Sequence, residues 1–211
     1  MKTSALIVAA FIALSFGSCS LIDSLTNKDS IDGEQSDMGQ VGAEVSSSDI
    51  PGVTNARATV TTLDGGISKF TGEATITDPA LLNIVSNIPE FTVIGNTVSV
   101  SDLEVKVTKE GIESKIPSFP GIIVKYDSKV GDKYKVANGV ERKVISKSDV
   151  DEYPYGYYLI KVMKVEESPS IIPGVTKMVY IANHKFGIVG LEVTFSDGTT
   201  TTFTIWGSTQ N

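Results

Sequence analysis

The 211 residues contain one cysteine, Cys19, one histidine, His184, and one tryptophan, Trp206. Without a second cysteine the chain can form no internal disulfide. A catalytic thiolate needs a nearby cation or imidazole to lower its pKa, and His184 lies 165 positions downstream. One histidine and one cysteine fall short of the three or four ligands of a zinc site, so no transition-metal centre is expected. Beyond residue 18 no apolar run reaches the ~18 residues of a spanning helix. Basic residues are also scarce: 18 Lys and Arg face 25 Asp and Glu, a formal net charge of −7. Such a chain has no electrostatic footprint for nucleic acid. No nucleophile elbow, phosphate loop, dinucleotide fingerprint or metalloprotease helix is present. The chain is therefore read as a non-enzyme without a cofactor.

What is there begins at the N-terminus. Lys2 supplies a short positive region, Ala5 to Phe16 is apolar, and Gly17 and Ser18 precede Cys19. A charged start, an apolar stretch too short to span, and small residues at its end make a secretory signal over residues 1–18. Small residues followed at once by cysteine, here "FGSC", resemble the relaxed lipobox of Bacteroidota lipoproteins, although Phe16 stands where the stricter pattern has Leu. The resemblance implies cleavage before Cys19 and diacylglyceryl and acyl chains on its sulfur and amine. Two or more chains hold a protein stably at a bilayer. The expected location is the cell envelope, lipid-anchored at the outer membrane on its periplasmic or surface face.

Residues 19–52 change character. Between Ser20 and Gly52 stand seven serines, four glycines, seven acidic residues and a single lysine, Lys28. The few apolar residues follow neither a period of 2 nor one of 3.6, so the segment reads as an acidic flexible tether. Residues 53–211 then form one β-rich domain, long enough to bury a core of its own.

Most of that domain alternates apolar and polar residues at period 2, with Gly, Asp, Asn and Pro at the breaks. "ARATVTTL" and "ISKFTGEATIT" flank Asp64-Gly65-Gly66; "YKV" and "ERKVISKS" flank Asn138-Gly139; "GLEVTF" and "TTTTFTIW" flank Ser196-Asp197-Gly198. Each is a hairpin signal. One helix is expected over Asp78–Ile88, with Asp78 as cap, Pro79 in the first turn and Pro89 as the stop. About ten to twelve strands joined by short turns imply an all-β, antiparallel meander closing into a barrel or a sandwich, and the short connections after Lys133 fit the barrel slightly better. The stretch "YPYGYYLIKVMKVEE…YIANHKFGIVGLEVTFSDGT" resembles domains of unknown function in gut Bacteroidota lipoproteins, a resemblance that implies no activity.

The densest chemistry is "SDVDEYPYGYY", residues 148–158. Tyr153, Tyr155 and Tyr157 combine aromatic faces with polar tips, which suits contact with a glycan or peptide. The plainer reading sends these aromatics, with Tyr158, into the core as the next strand begins. Asp149, Asp151 and Glu152 supply oxygen ligands for calcium, without the spacing of an EF-hand. His184, in "YIANHKFG", reads as part of a hairpin turn. The functional expectation is a lipid-anchored envelope protein that binds a glycan, peptide or protein partner. A surface glycan- or ligand-capture lipoprotein using residues 153–158 is the more specific form, and a β-rich hydrolase or inhibitor is a third class.

Overall fold

The structure, a computed structural model, describes residues 30–47, 50–117, 119–136, 140–170, 172 and 174–209. The alternating β-branched sequence after Gly52 forms the spine of a first sheet. Its strands are β1 (Glu44–Ser47), β2 (Val53–Asp64), β3 (Ile67–Ile76), β4 (Phe91–Ile94), β5 (Thr97–Val107), β6 (Gly111–Ser114), β7 (Gly121–Lys125) and, from the far end of the chain, β16 (Trp206–Ser208). They pair in the order β16-β1-β2-β3-β5-β6-β7, with β4 also on β5. The β2–β3 hairpin turns at Gly65-Gly66, whose φ values of +55° and +79° are those a two-residue turn of matching twist requires.

This sheet curls. Register shifts interrupt β2–β3 at Thr54/Arg57 and Val60/Thr62, and β3–β5 at Phe70/Gly72. Asn55 and Asp102 adopt φ of 56° and 58°, the left-handed backbone of inserted residues. Bulges bend a strand and raise its twist. At Gly72 the neighbouring backbone closes in, so that a Cβ there would stand 2.8 Å from the Ala58 methyl and from the Arg57 carbonyl oxygen. The result is a half-barrel with an apolar concave face.

A second sheet follows β8 (Lys133–Lys135), β9 (Glu141–Lys147), β12 (Met163–Glu167), β13 (Val175–Asn183), β14 (Gly187–Phe195) and β15 (Thr200–Thr204), paired in the order β15-β14-β13-β12-β9-β8. It is the expected meander, interrupted by a separate hairpin, β10 (Tyr153–Tyr155) with β11 (Tyr158–Ile160). Leu191, Val193, Phe195, Phe203 and Ile205 fall on the core side of β14 and β15 or just beyond, as their alternation requires. One core joins the two sheets, running from Val60 and Val98 to Tyr180 and Leu191. The fold is thus all-β and antiparallel, with one short α-helix among the described residues, α1 (Pro79–Val85). The Leu81 amide donates to the Asp78 carboxylate at 3.1 Å, and Leu81 and Val85 are buried. The helix ends three residues before the expected Ile88, which continues as turn and packs against the core from there.

The sheets are tied by a buried ionic cluster. Arg142 on β9 and Glu167 on β12 are direct cross-strand neighbours, with no exposed side-chain surface. Arg142 Nε donates to Glu167 Oε2 at 2.8 Å, and the Tyr180 hydroxyl of β13 donates to the same oxygen at 3.0 Å. Arg142 Nη1 reaches across to the first sheet and donates to the Ile122 carbonyl of β7 at 2.8 Å.

The acidic segment departs from its expected role. Residues 30–47 are built into the domain: Gln35 bridges to Thr108, Asp37–Gly39 form a 3-10 turn, and β1 lies between β2 and β16. Ile31, Met38, Ala43 and Ile50 are all buried in the core. They insert singly, from irregular backbone, and therefore leave no period in the sequence. Residues 1–29, with Cys19 and the signal-like stretch, lie outside the described residues.

Candidate functional site

The tyrosine-rich stretch forms the β10–β11 hairpin, in register Tyr153↔Ile160, Pro154↔Leu159 and Tyr155↔Tyr158. Its inner side covers the outer face of the second sheet, where Tyr155, Ile160, Val162, Ile181 and Val189 make a second, smaller cluster. This covering explains why β13 is buried at nearly every position and not at alternate ones. Tyr155 is the anchor. Its ring lies 5.1 Å from that of Phe186 and 5.0 Å from that of Trp206, and its oxygen accepts a hydrogen bond from the Gly207 amide at 2.8 Å. Tyr153 is half-buried, and its hydroxyl sits where a Cβ on Gly190 would come within 2.9 Å. Burial pushes the hydroxyls of both Tyr153 and Tyr155 above the ordinary tyrosine pKa.

The tip is the opposite. Tyr157 is fully exposed, Tyr158 is 71% exposed and Leu159 58%. Of the tyrosines expected at a binding surface, Tyr157 is therefore presented to solvent, while Tyr153 and Tyr155 are committed to packing. Tyr158 does not enter the core. It stands beside Tyr157 at the tip, because the chain turns at Gly156-Tyr157 and re-enters the cluster only at Ile160.

The expected calcium ligands do not assemble. Asp149, Asp151 and Glu152 are each exposed in the bend before β10, and among the described residues no group of three or more His, Cys, Asp or Glu side chains could hold a metal ion. Short acidic side chains in successive bend positions diverge into water. His184 is exposed in the β13–β14 turn, as its neighbours predict. Asn183 organises that turn: its Oδ1 accepts from the amides of Lys185 and Phe186, and its Nδ2 donates to the Lys161 carbonyl at 2.7 Å.

A feature with no local signal in the sequence lies in the hollow of the first sheet. There the two sheets leave a cavity of about 170 Å³, walled mainly by the concave faces of β3 and β5 and closed by Met38, Phe186 and Ile188. Phe70, Ala74, Val98, Val100 and Leu103 line its floor, and Ile112 and Ile123 its far side. Phe70, Phe91, Val105 and Ile188 are only partly buried, so the hollow is open on one side. Among the described residues its sole ionisable lining side chains are Arg57 and Glu73, cross-strand partners in which Arg57 donates to Glu73 Oε1 from both Nε, at 3.2 Å, and Nη2. A larger, polar depression of about 830 Å³ adjoins it, sharing Arg57, Glu73 and Ala74 and adding Ser46, Asn55, Thr97 and Trp206.

Compared with protein-family models, with curated proteins and with solved structures, the chain matches none of them. The fold and these features define an all-β protein of two antiparallel sheets, carrying an aromatic hairpin tip and an apolar hollow. Among the described residues no helix is long and apolar enough to cross a membrane.

Proposed function

We propose that this chain is a lipid-anchored envelope protein, held at the outer membrane through acyl chains on Cys19, whose β domain is a non-enzymatic module that binds a glycan at the β10–β11 tip. The observation that carries the reading is the tip itself, where Tyr157, Tyr158 and Leu159 stand in solvent on a hairpin whose base is fixed by Tyr155. Rings held on a rigid base lose little entropy on contact, and their faces suit the C–H faces of sugars. Exposed Asp149, Asp151 and Glu152 lie just before the hairpin and offer acceptors to sugar hydroxyls. Their charge favours neutral glycans over anionic ones.

The test is a glycan array with the mature chain, residues 19–211, and its Tyr157→Ala/Tyr158→Ala variant. Wild type is expected to bind neutral glycans and the variant to lose at least about ten-fold in affinity, with stability changed by less than about 0.5 kcal/mol, as for surface substitutions. Absence of binding by wild type, or full binding by the variant, refutes the assignment. The anchor is tested separately: Cys19→Ala should abolish incorporation of labelled palmitate and release the chain from the membrane pellet. A variant that stays labelled and sedimenting rules out Cys19 as the anchor.

A further inference from the structure

We infer that the hollow of the first sheet is a second binding site, for a neutral amphiphile whose apolar end enters the cavity. The argument starts from size. An enclosed apolar cavity of about 150 Å³ holds a benzene-sized guest, and this open hollow offers a comparable volume, about 170 Å³, with walls mainly of Val, Leu, Ile, Phe and Met. Water entering it would find few partners, because among the described residues Arg57 and Glu73 are the sole ionisable side chains lining it and they bond to each other. Access exists, since Phe70, Phe91, Val105 and Ile188 each keep part of their surface in solvent.

Charge then selects the ligand. Arg57 and Glu73 cancel, so the rim carries no net charge toward the cavity. A carboxylate would have to displace Glu73 from Arg57 and would meet its repulsion, and an ammonium group would meet the converse at Arg57. A hydroxyl or amide head suffers neither. Such a head has a place to go, because the polar depression shares Arg57, Glu73 and Ala74 with the cavity and offers Ser46, Asn55, Thr97 and the Glu44 carboxylate beyond them, the last an acceptor for a hydroxyl or amide head and a further repulsion for an anionic one. Tyr157 and Tyr158 line neither space, so this site is independent of the hairpin tip.

The experiment titrates the full chain, methyl-labelled at Val, Leu and Ile, with straight-chain alkanols from ethanol to decanol, and with hexanoate and hexylammonium. Saturable shifts are expected at Val98, Val100, Leu103, Ile112 and Ile123. Affinity should rise about four-fold per methylene and level off at about six to eight carbons, when a benzene-to-xylene-sized volume is full. The two ions of equal length should bind at least ten-fold more weakly than hexanol. Ala74→Met fills the cavity from its floor and should remove the shifts while raising Tm; should that chain not fold, Val105→Met narrows the cavity from its half-exposed rim and must weaken hexanol at least ten-fold. No saturable shift with any alkanol, affinity climbing steadily to decanol, or undiminished binding in the folded filling variant overturns the site. Hexanoate or hexylammonium binding as well as hexanol overturns the choice of a neutral ligand.

Discussion

Removing one member of the Arg142–Glu167 pair is the most demanding test of how the two sheets are held together. Glu167→Gln keeps the shape and removes the charge. Arg142 then has no counter-ion: its Nε can still donate to the Gln amide oxygen, but that bond is no longer charge-assisted from both sides, and its other bonds are Nη1 to the Ile122 carbonyl at 2.8 Å and a longer contact to Gly121 at 3.4 Å. Arg142 Nη2 and Glu167 Oε1 already lack a hydrogen-bond partner among the described residues, so the single Nε–Oε2 bond and the Tyr180 hydroxyl supply the pair's other compensation. An unpaired charge at such a site costs about 3–5 kcal/mol, a large part of the ~5–15 kcal/mol that stabilises a whole domain. At roughly 2–4 °C per kcal/mol for a chain of this size, Tm should fall by about 6–20 °C. Arg142→Met should cost a similar amount by stranding Glu167. In the double variant Arg142→Met/Glu167→Gln neither charge remains, and the loss should be smaller than the sum of the single losses by at least about 2 kcal/mol. Equilibrium urea unfolding of the four proteins measures all of these values. Single losses below about 1 kcal/mol, or a double loss equal to the sum, would refute the argument that this pair is a coupled, fully desolvated unit.

Two further outcomes follow from burial. Tyr126, Tyr134, Tyr153, Tyr155 and Tyr180 all have hydroxyls pushed above the ordinary tyrosine value of 10.0, first by desolvation and, for Tyr180, next by the charge of Glu167. The native state therefore holds protons that the unfolded chain releases. Their contribution is complete below pH 10 and is lost as pH rises above it, so alkaline unfolding should coincide with a cooperative rise in tyrosinate absorbance; gradual ionisation of these groups with the fold intact would contradict it. The second outcome concerns the boundary of the domain. Residues 53–211 alone lack β1, Ile31, Met38 and Ala43, leaving β2 and β16 without the strand between them. That fragment should be unfolded or aggregated by circular dichroism and size-exclusion chromatography, while 30–211 should fold; a monomeric, cooperatively melting 53–211 would show that the N-terminal insertions are dispensable.

The legible parts of the fold are those whose signals are local. Gly65-Gly66 announces its hairpin because both residues must take positive φ, and Leu191, Val193 and Phe195 reveal a core face because one side of β14 looks inward there. β13 hides from the same reasoning, since the β10–β11 hairpin covers its second face and removes the alternation. Residues 30–47 hide for a different reason. A 3-10 turn, a single bridge and a four-residue strand bury one side chain at a time, and their serines and acids resemble a solvated tether.

The two candidate sites divide along the same line. The tyrosine cluster is visible in the sequence, but its meaning depends on a parity that composition cannot supply. The turn falls at Gly156-Tyr157, so Tyr155 points into the Phe186–Trp206 pocket while Tyr157 and Tyr158 stand outside it. A turn shifted by one residue would exchange the buried and exposed rings, since facing alternates along a strand. The apolar hollow is illegible in principle at this level. Its walls come from Met38, from β1 to β7 and from the β13–β14 turn, segments up to 167 positions apart between Met38 and Ile205. Each wall residue looks like ordinary core in its own strand. The bulges at Thr54/Arg57, Val60/Thr62 and Phe70/Gly72 bend the first sheet, and it is on the concave side of that bend that those core faces border a hollow.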